Sequence, residues 1–193
     1  MGSVSTPSAF DIDLPPDLLP QALRGLPAAQ ESLYRLFEAP VYSLALRLLN
    51  DRGEAEDALQ DALFKALSGL DRFRGEVPFW AWLRQIAVNE ALMRLRRRRR
   101  TEDIDELPEA LLQGEGDNLP LSALHAAELQ KALAALPDTT RSVLWLYHAE
   151  GYTHDEIATL MQRSVSFSKS QAMRGLRRLR QLLDCDHKVL THA

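Results

Sequence analysis

Apolar residues recur along this chain at steps of three and four, in block after block, and nowhere alternate one-for-one as a half-buried strand requires. Leu33, Leu36, Phe37, Val41, Leu44 and Leu48 form one stripe. Ala58, Leu59, Ala62, Leu63, Ala66 and Leu67 form a second, and Leu83, Ile86, Ala87, Glu90 and Met93 keep the spacing of a third. Further on the period returns in Leu129, Leu133 and Leu136, in Val143, Leu144 and Tyr147, and in Ala172, Leu176, Leu179 and Leu183. Such a chain must pack helix on helix, so the expected fold class is all-α. Leu and Ala dominate the apolar set and aromatic residues make up only 7%, which favours helix over strand.

Breaks in the period divide the chain. Residues 1–27 hold five of the ten prolines and are expected to be a loose N-terminal arm. Residues 28–100 form a first helical domain, in which Pro40 should kink or restart a helix and Asp71 to Pro78 is a loop. Residues 101–122 carry seven acids, no base, two glycines and two prolines, and lack any period. They read as a flexible acidic linker. Residues 123–185 form a second small helical domain, and 186–193 a tail. Within the second, Pro137 stops a helix, Asp138 can cap the next, and Thr153 with Glu156 makes a capping box.

Several chemistries are excluded. A single cysteine, Cys185, allows no disulfide framework. The five histidines offer no pair at i,i+4 with a third ligand nearby, so no metal is expected. No glycine-rich phosphate loop or nucleophile elbow occurs. The sequence therefore predicts no catalytic residue and no cofactor. It has no apolar run of about 18 residues and no basic-then-apolar leader. The expectation is a cytoplasmic protein without membrane insertion.

Charge is distributed in blocks, although the net value is only −4. Arg94 and Arg96 to Arg100 place six positive charges in seven positions. Phe73, Phe79, Trp80 and Trp82 lie just upstream, and Trp82 is the ring expected in the core. Arginines beside exposed rings suit single-stranded nucleic acid, whose bases stack while the phosphates are neutralised. Glu54, Glu56, Asp57, Gln60 and Asp61 make an acidic helix face beside Phe64. That face suits a basic protein partner, or is an ordinary solvated surface. In the second domain a short capped helix, a turn at Gln162-Arg163 and a basic helix have helix-turn-helix form. Arg163, Lys169, Arg174, Arg177, Arg178 and Arg180 supply the charge, and Ser166, Ser170, Arg174 and Arg177 share one face. Side chains near the start of that helix can meet base edges, and the later arginines phosphates.

The order of these features resembles the extracytoplasmic-function sigma factors, the short two-domain group of bacterial transcription initiation factors. AEDALQDAL at 55–63 is similar to the family's AED-x-x-Q-[ED] segment, and WLRQIAVNEALMRLRRRRR at 82–100 to its WL-x-x-IA-x-N segment. LPDTTRSVLWLYHAEGYTHDEIATLM at 136–161 is similar to its LP-x-x-x-R…EIA segment. The resemblance implies a region 2-like bundle and a region 4-like helix-turn-helix domain. It implies no enzyme activity but promoter-directed initiation with core RNA polymerase as partner, promoter DNA as ligand, and an anti-sigma factor as inhibitor. By resemblance, Asp57, Gln60, Asp61 and Phe64 would face polymerase. Arg72, Phe73, Arg74, Trp80, Asn89, Arg94, Arg96, Arg97 and Arg98 would hold the melted minus-ten strand. Arg163, Ser166, Lys169, Ser170, Gln171 and Arg174 would read the minus-thirty-five duplex. The acidic linker would thread channels meant for nucleic acid. Departures fall in the recognition turn, QRSVSFSKSQ, where Gln162 replaces a glycine, Phe167 a Thr, Ser168 a Val and Gln171 an Arg. Met93 stands where the family has Asp, and Phe64 lies one place late. Two other readings use the same features: a stand-alone helix-turn-helix regulator, and a helical adaptor that binds only proteins.

Overall fold

A computed structural model describes residue 10 and residues 12–101 and 126–190; for residues 99–101, 126–127 and 184–190 it describes the backbone only. The described residues are helical, without a strand, in the order α1 (Leu18–Leu23), α2 (Pro27–Leu49), α3 (Arg52–Ser68), a single 3-10 turn (Leu70–Arg72), α4 (Phe79–Thr101), α5 (Ala126–Ala134), α6 (Asp138–His148), α7 (His154–Met161) and α8 (Val165–Leu190). The expected all-α class is what the chain adopts. It separates into two compact units that divide between Thr101 and Glu102. Most of the acidic linker lies outside the described residues; its first residue, Thr101, closes α4.

The first unit is built on α2, α3 and α4. Pro27 opens α2, where its fixed φ suits a helix and its missing N–H is no loss. The stripe of Leu33, Phe37, Val41, Leu44 and Leu48 is buried as its spacing requires. The helix runs through Pro40 without restarting. One backbone hydrogen bond is lost there, but Phe37 and Val41, both wholly buried on either side, hold the chain in register. α3 begins under an Asp51 cap, whose Oδ1 accepts from the Glu54 amide at 2.9 Å. Its inner face is mostly alanine, namely Ala55, Ala58, Ala62 and Ala66, which permits close approach to its neighbours. α4 buries Leu83, Ala87, Val88, Ala91, Leu92 and Leu95. Glu90 is also buried in α4 and accepts from Lys65 Nζ of α3 at 2.7 Å.

The arm differs from the expectation where it is described. Residues 18–23 form α1 with Ala22 buried, and Gln30 Nε2 of α2 donates to the Ala22 carbonyl. Phe10 is buried and stacks on Phe37, with ring centroids 6.5 Å apart. An aromatic ring in a proline-rich segment gains more from a hydrophobic slot than the segment loses in chain entropy.

The second unit packs α5, α6 and α7 around α8. Asp138 does not cap α6, as expected from sequence, but lies within its first turn. Its carboxylate accepts from Arg141 Nη2 at 2.7 Å, while Arg141 Nη1 donates to the Leu136 carbonyl. The buried guanidinium thus ties α6 to the end of α5. The capping box of α7 forms as predicted: the Glu156 amide donates to Thr153 Oγ1, and the Thr153 amide to Glu156 Oε2. No described helix is long and apolar enough to cross a membrane.

Candidate functional site

α3 puts Asp57, Gln60, Asp61 and Phe64 on one exposed face, as their spacing predicts. Phe64 is 73% exposed, the most open of the large apolar side chains among the described residues. The acids beside it are engaged. Arg94 of α4 reaches across, with Nη1 3.3 Å from Asp57 Oδ2 and 3.5 Å from Glu54 Oε2, and Nη2 on Asp61 Oδ2. Burial disfavours the Arg94 charge, but the Asp61 hydrogen bond and the three carboxylates outweigh it, so its pKa is raised. Arg94 and the acidic face were assigned separately from sequence, to DNA and to protein; folding brings them together.

The residues assigned to a melted strand divide. Arg72, Arg74 and Asn89 are exposed. Trp80 is half-buried at the start of α4, with the Arg84 guanidinium 5.3 Å from its ring centroid. The i,i+4 spacing of that pair is legible in sequence, but Arg84 was not singled out. Phe73 is packed between Phe79 at 5.6 Å and Trp82 at 5.4 Å, and Phe79 in turn meets Phe37. It is one member of a ring cluster, so stacking a base on Phe73 would require that cluster to open. Trp82, expected in the core, joins the same cluster but stays half-buried. Arg97 is exposed, Arg96 and Arg98 half-exposed. Arg98 Nη1 lies 3.5 Å from the Leu49 carbonyl at the end of α2. Backbone alone is described for the last arginines of the run.

In the second unit the turn between α7 and α8 is closed by Gln162 at φ +55°, where the family pattern has glycine. The Gln162 amide donates to Ala158 and Thr159, and the Arg163 amide to Ala158. Ser164 caps α8 by accepting from the Phe167 amide at 3.1 Å. Ser166 and Lys169 are exposed, and Ser170 and Arg174 half-exposed, on the face predicted to meet DNA. Arg163 is exposed and lies over the Phe167 ring at 5.6 Å. Gln171 is turned partly inward: its Oε1 accepts from Thr140 Oγ1 of α6 at 2.6 Å. Its carbonyl is therefore taken, and can accept from a base edge only if that bond breaks.

Sequence reasoning also missed Ser168 and His154. The Ser168 hydroxyl is wholly buried and lies 2.9 Å from His154 Nδ1. The His154 ring stacks on Tyr147 at 4.2 Å, and Tyr147 meets His148 edge-on at 4.9 Å. Partial burial, then the neighbouring His154, lower the His148 pKa. Burial and Lys169 lower that of His154 against a smaller opposing pull from Asp155. The signal available was Ser168 itself, a polar residue where the pattern has Val. Among the described residues no cluster of His, Cys, Asp or Glu has metal-site geometry.

Comparison with known proteins agrees with this division. Residues 33–101 match the sigma-70 region 2 family and residues 126–179 the sigma-70 region 4 family. The RNA polymerase sigma-H factor of Pseudomonas aeruginosa is 32% identical over 169 residues, spanning 82% of this chain and 88% of its own. The ECF RNA polymerase sigma-E factor of Escherichia coli is 30% identical over 150 residues, 72% of this chain and 78% of its own. Among solved structures, the sigma factor RpoE bound to the anti-sigma factor NepR from Bartonella quintana aligns with a TM-score of 0.54. It is 27% identical and covers 81% of this chain and 97% of that one. CnrH, solved with the cytosolic domain of CnrY, aligns with a TM-score of 0.51 at 25% identity, covering 88% and 96%. A region 2 bundle followed by a region 4 helix-turn-helix unit, with relatives matched along most of both chains, places this chain in the extracytoplasmic-function sigma factors of RNA polymerase.

Proposed function

We propose that this sigma factor docks on core RNA polymerase through the α3 face of Asp57, Gln60, Asp61 and Phe64, opens the minus-ten element with its first unit and reads the minus-thirty-five element with α8. It is an initiation factor and performs no chemistry of its own. The observation that carries the docking role is Phe64, 73% exposed at the end of the acidic face. A large ring left in water beside charge marks a surface that a partner covers. Trp80, Arg72, Arg74, Asn89, Arg96, Arg97 and Arg98 supply stacking and phosphate neutralisation for the melted strand. Phe73 and Trp82 support that surface from beneath. On α8, Ser166, Lys169, Ser170 and Arg174 are placed to meet duplex DNA, with Arg163 at its edge and Gln171 held back by Thr140.

The similar sigma factor from Bartonella quintana was solved with an anti-sigma factor, which supports an inhibitor of that kind for this chain. A factor that acts with polymerase on promoter DNA would act in the cytoplasm. Purified core enzyme supplied with this protein and a fragmented genomic template should yield transcripts with defined starts that core alone does not make. A stand-alone regulator would instead bind duplex promoter DNA without polymerase, and a protein adaptor would do neither. Absence of new starts would end the initiation reading.

A further inference from the structure

We propose that Arg94 is a positioning residue of the polymerase-docking face and not a contact to DNA; this rests on the docking role given above to α3. The Arg94 side chain is only 15% exposed and faces three carboxylates of the neighbouring helix. Glu54, Asp57 and Asp61 lie one helical turn apart on one side of α3, so without a counter-ion they repel one another. Arg94 sits among them, yet each stays open on its outer side, with Asp57 64% and Asp61 52% exposed. One planar guanidinium can bond different carboxylates through its separate nitrogens, as Nη1 does with Asp57 and Nη2 with Asp61. A lysine, with a single charged nitrogen, cannot fix such an array. A basic partner arriving at α3 then meets acids whose rotamers are already set, which removes part of the cost of ordering them.

The experiment measures core polymerase affinity without DNA, and promoter opening by saturated holoenzyme, for Arg94→Ala, Arg94→Met and Arg94→Lys. Arg94→Met keeps the aliphatic stem, so it controls for packing lost in the alanine variant. Arg94→Ala and Arg94→Met should weaken core binding about tenfold through faster dissociation, because the loss of preorganisation outweighs the added attraction of a more negative face for a basic partner. Arg94→Lys should recover only part of the loss, and promoter opening by the saturated holoenzyme should be unchanged. A double-mutant cycle with Asp61→Asn should show the two losses to be non-additive. Unaltered core affinity with impaired promoter opening makes Arg94 a DNA contact and overturns the proposal. Tighter core binding would make it a competitor of polymerase and also overturn it. If Asp61→Asn leaves core binding intact, the docking role of α3 fails and this inference with it. If Asp61→Asn weakens binding and the Arg94 variants do not, only the role of Arg94 fails.

Discussion

Gly175 lies where α8 passes α6, and its missing side chain is a packing requirement. A Cβ there would come within 2.8 Å of Leu144 Cγ and Thr140 Cγ2, nearer than packed carbons allow. Intrinsic helix propensity alone would make Gly175→Ala stabilising. The geometry reverses that sign: the substitution should destabilise the second unit by about 2 kcal/mol, since overpacking outweighs the propensity gain. Chemical denaturation followed by the fluorescence of Trp145, the single tryptophan of the second unit, checks this. Residues like this one were illegible in the sequence. A glycine within a helical stripe signals a close approach, but it does not say to what. Gln171 and Arg94 are the same case, since their charge or polarity suggested DNA while their partners, Thr140 and the α3 acids, are 31 and 33 or more positions away. Asp57, Gln60, Asp61 and Phe64 were legible because a helix period alone puts them together.

At the scale of elements, the long helices and the Thr153 capping box followed from local rules, whereas the expected Asp138 cap, α1 and the junctions between helices did not. The Thr153 box and the Asp51 cap need only three residues' spacing. Whether α2 passes through Pro40, and whether Phe10 finds a slot on α2, depends on neighbours that sequence periodicity does not specify. One junction carries a pH dependence. His148 on α6 and His154 on α7 meet around Tyr147, and α8 faces them with Ser168 and Lys169; both imidazoles are pushed below their ordinary pKa. A histidine whose folded pKa is lowered binds a proton more readily when unfolded. Its contribution is therefore complete above the ordinary value of about 6.5 and is lost as pH falls from there through the lowered folded value. The second unit should accordingly lose stability between pH 7 and pH 5.5, while a His148→Gln, His154→Gln variant should show a flatter profile over that window. Thermal melts read through Trp145 test it, and equal slopes in the two proteins would refute it.

For the whole molecule the decisive quantity is where charge sits along the chain. Without the seven acids between Glu102 and Asp117 the formal net charge of −4 would be +3. A DNA-binding chain with a positive net charge associates with any duplex, because phosphate neutralisation is independent of sequence. A sigma factor gains nothing from that, since its basic surfaces have a task only once polymerase holds them at a promoter. The acids lower the potential of the free chain as a whole. Replacing all seven by Asn or Gln should raise the affinity of the free protein for random duplex by about tenfold or more at moderate salt, with a steeper salt dependence. Fluorescence anisotropy over a salt series measures both. The same variant, added to core enzyme, should start transcripts less selectively, because the free protein is drawn to non-promoter DNA. If neutralising the acids left random-duplex affinity unchanged, the acidic segment would have to act on polymerase alone, and its effect would then appear only in the holoenzyme.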